Sequence, residues 1–273
     1  MVWQVWKRKA SPTRQMHHDN LLHHVGLHCI QPIYVGRSLM KFVTWNCNGA
    51  FRNKYHLLEE VDADILVIQE CEDPSHSSTN YREWAGDYLW AGKNKNKGIG
   101  IFSRKGLKLE ALNWNDDGLQ SFLPCRVDDS VNLIGVWTKQ ANSPNFRYIG
   151  QLWKYLQLHK DKIGSGSTII CGDLNSNVQW DEWDRWWNHS DVVRELEEIN
   201  NHSLYHHILK EEQGKESKPT LFFHRRLERP YHIDYAFISK DLLGDNKNMI
   251  DVGSPERWLE YSDHMPIVFS VGC

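Results

Sequence analysis

The 273-residue sequence has no apolar run that approaches the roughly 20 residues needed to span a bilayer. It also has no surplus of positive charge, because 32 basic side chains face 35 acidic ones and give a formal net charge of −3. A chain with this balance does not coat nucleic acid by bulk attraction, although a local basic groove is compatible with it. We therefore expect no membrane partner.

The six cysteines lack the CxxC spacing that is typical of zinc sites and redox pairs. Three of them, Cys47, Cys71 and Cys171, lie within or just after apolar, strand-like runs, where a thiol behaves as a small buried hydrophobe. This pattern indicates a reducing, cytoplasmic location rather than a disulfide framework. The sequence also lacks a P-loop and the GxSxG turn of serine hydrolases, so neither chemistry has support.

Residues 1–39 differ from the rest of the chain. They hold five histidines and a basic start, with no sustained periodicity and no apolar stretch of the kind that makes a secretory signal. The histidines have no repeated ligand spacing, so metal binding there is not favoured. We predict a poorly ordered extension, or sequence upstream of a start at Met40, followed by one domain over residues 40–273.

Three apolar, strand-like runs end in side chains that bind metals or phosphates. Residues 168–170 lead through Gly172 to Asp173 and Asn175, residues 41–46 end in Asn46, and residues 63–70 end in Glu70. Continuous apolarity is typical of strands that are covered on both faces. Asp and Asn are also ordinary turn residues, so one such ending alone would mean little. A buried Glu is costly unless it is paired or bound to a metal.

Further strands are predicted over residues 99–103, 131–137, 232–238 and 266–271, and helices over residues 51–61, 149–156 and 191–199. Collecting the polar residues beside these strands gives one set of oxygen ligands and one imidazole: Asn46, Asn48, Glu70, Asp173, Asn175, Asp234, Asp263 and His264. Such a set suits Mg²⁺ or Mn²⁺ and the hydrolysis of a phosphate ester, in which the metal neutralises phosphate oxygens and activates water.

The sequence also has two basic clusters and one aromatic cluster. The loop 92–100 with Lys93, Lys95 and Lys97 is either a solvated hairpin tip or a contact to a phosphate backbone, and Arg225 and Arg226 form the second basic cluster. The four tryptophans Trp180, Trp183, Trp186 and Trp187 either stack on bases or, as is more common, pack over a sheet edge.

Five segments, in this order, resemble the motif set of the endonuclease/exonuclease/phosphatase superfamily, which includes repair endonucleases of the exonuclease III type and deoxyribonucleases. They are Trp45-Asn46-Cys47-Asn48-Gly49, Gln69-Glu70, Gly172-Asp173-Leu174-Asn175, Ile233-Asp234-Tyr235 and Ser262-Asp263-His264. The resemblance implies an α/β fold, namely a four-layer sandwich of two mixed β-sheets flanked by helices, with a catalytic domain over residues 40–273.

The resemblance also implies roles at the metal. Glu70 would be the principal ligand, Asn46 and Asp263 would help to place the metal or the phosphate, and Asn48 would lie in the outer shell of the metal.

Four further residues would then carry the reaction. Asp173 would align or deprotonate the attacking water, and Asn175 would hold the phosphate. Asp234 would orient His264, which would act either as a donor to the scissile phosphate or as a base.

One position departs from the family pattern. The strand before Asp173 usually ends in a Tyr or His that reaches the phosphate, and here Trp137 stands there. An indole N–H donates but neither accepts nor ionises. Either Trp137 has a reduced role, or Lys139 supplies the missing contact.

The sequence thus predicts a monomeric, Mg²⁺-dependent phosphodiesterase that acts on nucleic acid, with DNA favoured. The alternative is a phosphatase or phosphodiesterase that acts on inositol phosphates or phospholipid head groups, because the same fold serves both.

Overall fold

The computed structural model describes residues 39–115, 117–119, 122–140, 145–244 and 247–273. The predicted N-terminal extension lies outside the described residues, except for Leu39, which begins the first strand.

Fourteen strands, five α-helices and six short 3-10 helices follow one another along the described residues. The strands are β1 (Leu39–Asn46), β2 (Ile65–Cys71), β3 (Tyr88–Asn94), β4 (Lys97–Ser103), β5 (Leu109–Ala111), β6 (Phe122–Val127), β7 (Val131–Trp137), β8 (Thr168–Asp173), β9 (Asn201–Ser203), β10 (Leu221–Phe222), β11 (Pro230–Tyr231), β12 (Asp234–Ser239), β13 (Met249–Val252) and β14 (Ile267–Gly272). The α-helices are α1 (Thr79–Ala85), α2 (Ile149–Gly164), α3 (His189–Glu198), α4 (Leu204–Leu209) and α5 (Pro255–Trp258). Short 3-10 helices lie at Phe51–Asn53, Tyr55–Val61, Pro74–His76, Val178–Trp180, Phe223–Arg225 and Lys240–Leu242.

Two six-stranded mixed sheets form the centre of the fold. The first has the order β13-β14-β1-β2-β4-β3, and the second has the order β5-β6-β7-β8-β12-β9. Each has one parallel pair, β1 with β2 and β7 with β8, and its other neighbours are antiparallel. The predicted pair of mixed sheets is confirmed.

Side chains of the second sheet alternate between two cores. Leu133 and Ile169 belong to the core shared with the first sheet, whereas Ile134 and Ile170 belong to the core shared with α2 and α3. The sheets approach closely at Gly135 of β7, where an added Cβ would lie 3.0 Å from a methyl carbon of Val67. The second sheet is therefore covered on both faces, which explains its continuously apolar strands.

The outer face of the first sheet is covered by an aromatic cluster. Phe51 packs against Tyr81 and Trp84 of α1 and against Phe102 of β4, with ring centroids 5.5–5.9 Å apart. Helical segments therefore flank both sheets and complete the four-layer sandwich. Within the described ranges, no helix combines the length and apolarity that crossing a bilayer demands.

Two predicted segments differ from the structure. Residues 51–61 form 3-10 helices rather than one α-helix. The spacing of Tyr55, Leu58 and Val61 is three residues, which matches the 3.0-residue turn of a 3-10 helix. Most of the predicted loop 92–100 belongs to β3 and β4, and only Lys95 and Asn96 form the turn.

The topology brings ligand-type residues to one edge of each sheet. Antiparallel neighbours begin where their partners end, so β14 starts beside the end of β1, and β12 starts beside the end of β8. Asp234 and His264 therefore lie at strand starts and still meet the strand ends that carry Asn46 and Asp173.

Candidate active site

Asp173 is the centre of the candidate site. It ends β8, is 0% exposed, and accepts three hydrogen bonds: from Asn46 Nδ2 at 2.9 Å, and from the backbone N and Nδ2 of Asn175, each at 2.8 Å. Preceding it, Gly172 has a φ of +146°, and a Cβ there would lie 1.8 Å from the carbonyl oxygen of Val136. The glycine is required because any side chain would force β7 and β8 apart.

Asn175 is held as firmly as the carboxylate beside it. Besides its bond to Asp173, Asn175 Nδ2 donates to the carbonyl oxygen of Thr138 at 2.9 Å. Both hydrogens of this amide are therefore used within the protein. In this arrangement Asn175 positions Asp173, and its predicted contact with a phosphate requires one of these bonds to open.

His264 and Asp234 form a buried pair beside Asp173. His264 Nδ1 lies 2.9 Å from Asp234 Oδ2, and His264 Nε2 lies 4.0 Å from Asp173 Oδ2. Asp234 stands directly opposite Asp173 in the β8–β12 register. The imidazole thus lies between two carboxylates, with Nδ1 toward one and Nε2 toward the other.

The charges of this pair follow from its surroundings. Burial penalises the imidazolium, but the Asp234 and Asp173 carboxylates outweigh that penalty and raise the pKa of His264. Burial also raises the pKa of Asp173, although the neighbouring His264 opposes the shift. The site therefore favours a protonated, hydrogen-bond-donating His264 at neutral pH.

The segment that carries His264 is tied to β1 through the main chain. Ser262 Oγ donates to the carbonyl oxygen of Asn46 at 2.7 Å and accepts from His264 N at 3.0 Å. Trp45 Nε1 donates to the carbonyl oxygen of His264 at 2.9 Å. These bonds fix the distance between the first sheet and the histidine.

Glu70 lies at an irregularity in the first sheet. The β2–β4 register shifts between Gln69 and Cys71, and Glu70 has a φ of 65°, which is uncommon for a side chain of this kind. Its carboxylate lies 2.7 Å from Lys97 Nζ at the start of β4. Glu70 is therefore paired, as expected, and its partner is Lys97.

The two remaining predicted metal residues lie in the adjoining loops. Asn48 N donates to Asn46 Oδ1 at 3.0 Å, which orients the amide that holds Asp173. Asp263 lies next to His264, and its negative charge is a smaller contribution to the raised pKa of that histidine.

The donors present fit a hard divalent cation. Glu70, Asn46 and Asp263 offer carboxylate and amide oxygens, the ligands that Mg²⁺ prefers. The ammonium of Lys97 already places a positive charge against Glu70, the predicted principal ligand. A second group of possible ligand atoms lies within 4.8 Å of one another and belongs to Asp173, Asp234 and His264. Atoms of these residues already make the hydrogen bonds described above.

Trp137 and the lysines form a compact basic cluster beside Asp173. Trp137 is paired with Asp173 in the β7–β8 register, and Lys139 Nζ lies 3.9 Å from its ring centroid, with Lys97 Nζ at 5.7 Å. Burial, together with Lys93 and Lys97, lowers the pKa of Lys139. Lys97 and Lys139 therefore lie by the same ring next to Asp173, and Lys93 adds its charge nearby, while Lys95 lies on the turn.

The two arginines of the second basic cluster differ in their contacts. Arg225 donates to the carbonyl oxygens of Glu260 at 3.0 Å and Tyr261 at 3.4 Å, so it holds its loop against the segment before Asp263. Arg226 is exposed beside it.

Lys54 is a structural residue of the site that the sequence analysis missed. Its Nζ donates to the carbonyl oxygens of Cys47, Gly49 and Tyr261 at 2.7–2.9 Å, and it thereby joins the loop after β1 to the loop before His264. A lone lysine after an Asn-Gly turn follows no recognisable pattern, so no local signal identifies it.

Comparison with known proteins agrees with this architecture. The Endonuclease/Exonuclease/phosphatase family model matches residues 43–264. The chain therefore belongs to this family, and it is an enzyme of the phosphoric ester hydrolase class. No curated protein matches the chain.

Solved structures with the same fold include DNA-processing enzymes. The 3′ phosphatase NExo from Neisseria, bound to a product DNA hairpin, is 21% identical with a TM-score of 0.65, over 84% of this chain and 98% of that one. An AP endonuclease from Archaeoglobus fulgidus is 20% identical with a TM-score of 0.62, over 84% and 98%. The AP endonuclease LMAP from Leishmania major is 14% identical with a TM-score of 0.63, over 87% and 88%. At these identities the likeness establishes the fold.

Proposed function

We propose that this protein is a Mg²⁺-dependent (or Mn²⁺-dependent) phosphodiesterase that hydrolyses nucleic acid, with DNA as the favoured substrate. The observation that carries the proposal is the buried Asp173, which Asn46 and Asn175 hold beside the His264–Asp234 pair. The neighbouring Lys93, Lys97 and Lys139 cluster supports a polyanionic substrate, and the DNA-processing enzymes among the structural neighbours support DNA.

The metal would be held by Glu70, Asn46 and Asp263. When bound, a divalent cation neutralises phosphate oxygens and makes a bound water more acidic.

The attacking water bonds to phosphorus as the bond to the leaving oxygen breaks, and the leaving alkoxide takes a proton from solvent. The protein's own groups assist this step. Asp173 accepts a hydrogen bond from the attacking water and takes its proton, since a buried carboxylate of raised pKa is a better base. His264, protonated and fixed by Asp234, donates from Nε2 to a non-bridging phosphate oxygen as negative charge develops there.

Lys139 takes the place of the family's Tyr or His at the phosphate. Its ammonium is held over the Trp137 ring, a contact that fixes the direction of an otherwise flexible side chain. The Lys139 ammonium stabilises the phosphate as a hydrogen-bond donor, but unlike a Tyr hydroxyl or a neutral His it has no acceptor atom.

We also propose that the enzyme acts as a monomer in a reducing, cytoplasmic environment. The thiols of Cys47, Cys71, Cys125 and Cys171 are buried and free, and burial raises the pKa of each, which disfavours oxidation.

A substrate panel tests the function. Purified protein is incubated with duplex, single-stranded and abasic DNA, with RNA and with inositol phosphates, in Mg²⁺ and in excess chelator. We expect DNA cleavage that requires the metal and returns when Mg²⁺ or Mn²⁺ is restored. Turnover of inositol phosphates without cleavage of any nucleic acid would support the alternative substrate class, and full activity in chelator would refute metal dependence.

A further inference from the structure

The tryptophan cluster divides into two parts with different surroundings. Trp183 is 97% exposed and Trp186 is 62% exposed. Trp187 is partly buried and packs against Phe146 with ring centroids 4.6 Å apart, and Trp180 packs against Tyr231 at 5.2 Å. Trp187 and Trp180 are therefore fixed by rings from other segments, whereas the exposed Trp186 contacts only the edge or face of its neighbour Trp187, with ring centroids 4.8 Å apart, among the ring contacts of the described residues.

The two fixed tryptophans line a cavity of about 650 Å³ that begins at the catalytic site. Asn175, whose amide holds Asp173, and the adjacent Ser176 form its near end, and Tyr148 lies in its wall. Ligand pockets span about 300–1,000 Å³, so the volume suits a ligand the size of one nucleotide. The cavity therefore has both the position and the size to hold a substrate group next to the scissile bond.

The wall of this cavity is preorganised by hydrogen bonds. Asn188 Oδ1 accepts from Glu182 N at 2.9 Å, and Asn188 Nδ2 donates to the carbonyl oxygens of Glu182 and Arg185 at 2.8 and 3.1 Å. The Asp181 carboxylate accepts from the backbone N of His189 and Ser190 at the start of α3. A wall fixed in this way loses little entropy on binding.

The rim of the cavity carries an exposed cation. Arg185 is paired with Glu182 at 2.6 Å, and the Asp181 carboxylate is occupied by the start of α3. Arg147 is exposed at the rim, and its guanidinium makes no ion pair with any residue that the structure describes. One free cation beside aromatic rings matches the phosphate and base of a nucleotide.

We infer that this cavity binds an unpaired nucleotide of the substrate strand, next to the scissile phosphodiester, with its base against Trp187 and its phosphate toward Arg147. The inference rests on the proposed function, since it assumes a nucleic acid strand at Asp173. A base within a duplex is paired and stacked, so filling the cavity requires a nucleotide that is already single-stranded or released from its partner. The enzyme therefore prefers DNA with an unpaired nucleotide at the cleavage position over continuous duplex.

Binding in excess chelator tests this inference without reference to hydrolysis. The probes are a DNA hairpin with a short single-stranded overhang and its blunt counterpart, each with 2-aminopurine as a fluorescent base in the terminal positions. We expect tighter binding of the overhang, with quenching of the 2-aminopurine. Trp187→Ala should weaken overhang binding by about tenfold and abolish the quenching, with little effect on the blunt hairpin.

Matched variants separate the cavity from the rest of the loop. Trp183→Ala removes an exposed ring of the same loop that does not line the cavity, and it should bind as the wild type does. Trp187→Phe keeps a ring against Phe146 and should retain most of the affinity, which controls for a folding defect. Arg147→Ala should weaken overhang binding and lower its salt slope by about one, whereas Arg194→Ala on the outer side of α3 should not.

The outcomes distinguish the inference from the proposed function. Wild-type affinity for the overhang in both Trp187→Ala and Arg147→Ala would overturn the cavity assignment, whatever the enzyme hydrolyses. Selective, Trp187-dependent overhang binding by a protein that cleaves no nucleic acid in Mg²⁺ would uphold the cavity and overturn the proposed function.

Discussion

Two buried histidines of this protein have opposite protonation behaviour. His264 is 6% exposed and His189 is 1% exposed, so burial penalises the charged form of both. His264 lies between Asp234 and Asp173, which raise its pKa. Among the described residues, the imidazole of His189 at the start of α3 has Gln213 Oε1 as its hydrogen-bond partner, at 3.3 Å, and burial lowers its pKa to about 4. Carboxylate partners, not burial, decide which histidine is charged at neutral pH.

This difference explains why one histidine serves the chemistry and the other serves the core. A charged His264 is ready to donate to a phosphate, whereas a neutral His189 packs beside Tyr235, with ring centroids 5.0 Å apart. The predictions below remove the partners or the histidines in turn.

Removal of the charged histidine should have the largest effect. His264→Ala eliminates the donor to the phosphate, and we expect turnover to fall by about 10³-fold or more. The main-chain bonds of this residue to Ser262 and Trp45 are kept, so the circular dichroism spectrum should remain that of the wild type. Turnover within tenfold of the wild type would remove His264 from the mechanism.

Removal of the supporting carboxylate should have the next largest effect. Asp234→Asn keeps the shape of the pair but removes the negative charge, so the pKa of His264 should fall toward its ordinary range. We expect turnover to fall by about 10²-fold and the alkaline limb of the pH–rate profile to move to lower pH. Asp251→Asn, at an exposed ion pair with Lys218, is the control and should leave the profile unchanged.

The neutral histidine should affect stability rather than turnover. Because its pKa is lowered to about 4, the unfolded chain binds a proton below about pH 6.5 that the folded protein refuses until about pH 4. Stability is therefore lost as the pH falls through this window, by up to about 1.4 kcal/mol per pH unit. Urea unfolding should show a shallower loss for His189→Gln, with a remainder from the similarly shifted His232.

An exposed histidine provides the control for that series. His224→Gln removes an imidazole from the surface and is the matched variant, measured over the same pH range. An identical slope for His189→Gln and the wild type would show that His189 does not titrate as described.

The Lys97–Glu70 ion pair should give the smallest effect. Lys97→Met removes an ammonium that competes with a cation for Glu70, so the affinity for Mn²⁺ should rise by about fivefold, in keeping with an ion pair worth up to about 1 kcal/mol. Electron paramagnetic resonance titration of Mn²⁺ measures this directly. Lys95→Met, on the exposed turn two residues away, should leave Mn²⁺ affinity unchanged, and an equal change in both variants would contradict the competition.

Much of the site could be predicted from the sequence because the end of a buried strand is marked by neighbouring residues in the chain. Asn46, Glu70 and Asp173 each follow an apolar run, and the structure places them where β1, β2 and β8 end. Asp234 begins β12 and His264 lies just before β14, so the sequence indicated them as polar residues within or beside predicted strands rather than at strand ends. Their position depends on antiparallel pairing with strands far away in the chain, which no local pattern encodes.

Other features could not be predicted from the sequence because they also depend on contacts between residues far apart in the chain. The Glu70–Lys97 contact depends on the irregular β2–β4 register, and Lys54 acts through carbonyl oxygens whose positions only the folded loops define. The split of the tryptophans also depends on distant partners, since Phe146 and Tyr231 decide which rings are fixed.

The most direct test of the central claim is the Mg²⁺-dependent cleavage of an oligonucleotide by the wild type and by Asp173→Asn under identical conditions. The substitution keeps the shape of the buried side chain but removes the carboxylate that Asn46 and Asn175 hold. We predict cleavage by the wild type and a loss of about 10³-fold or more in the variant, with binding of the oligonucleotide retained. Cleavage at a similar rate by both proteins would contradict the account.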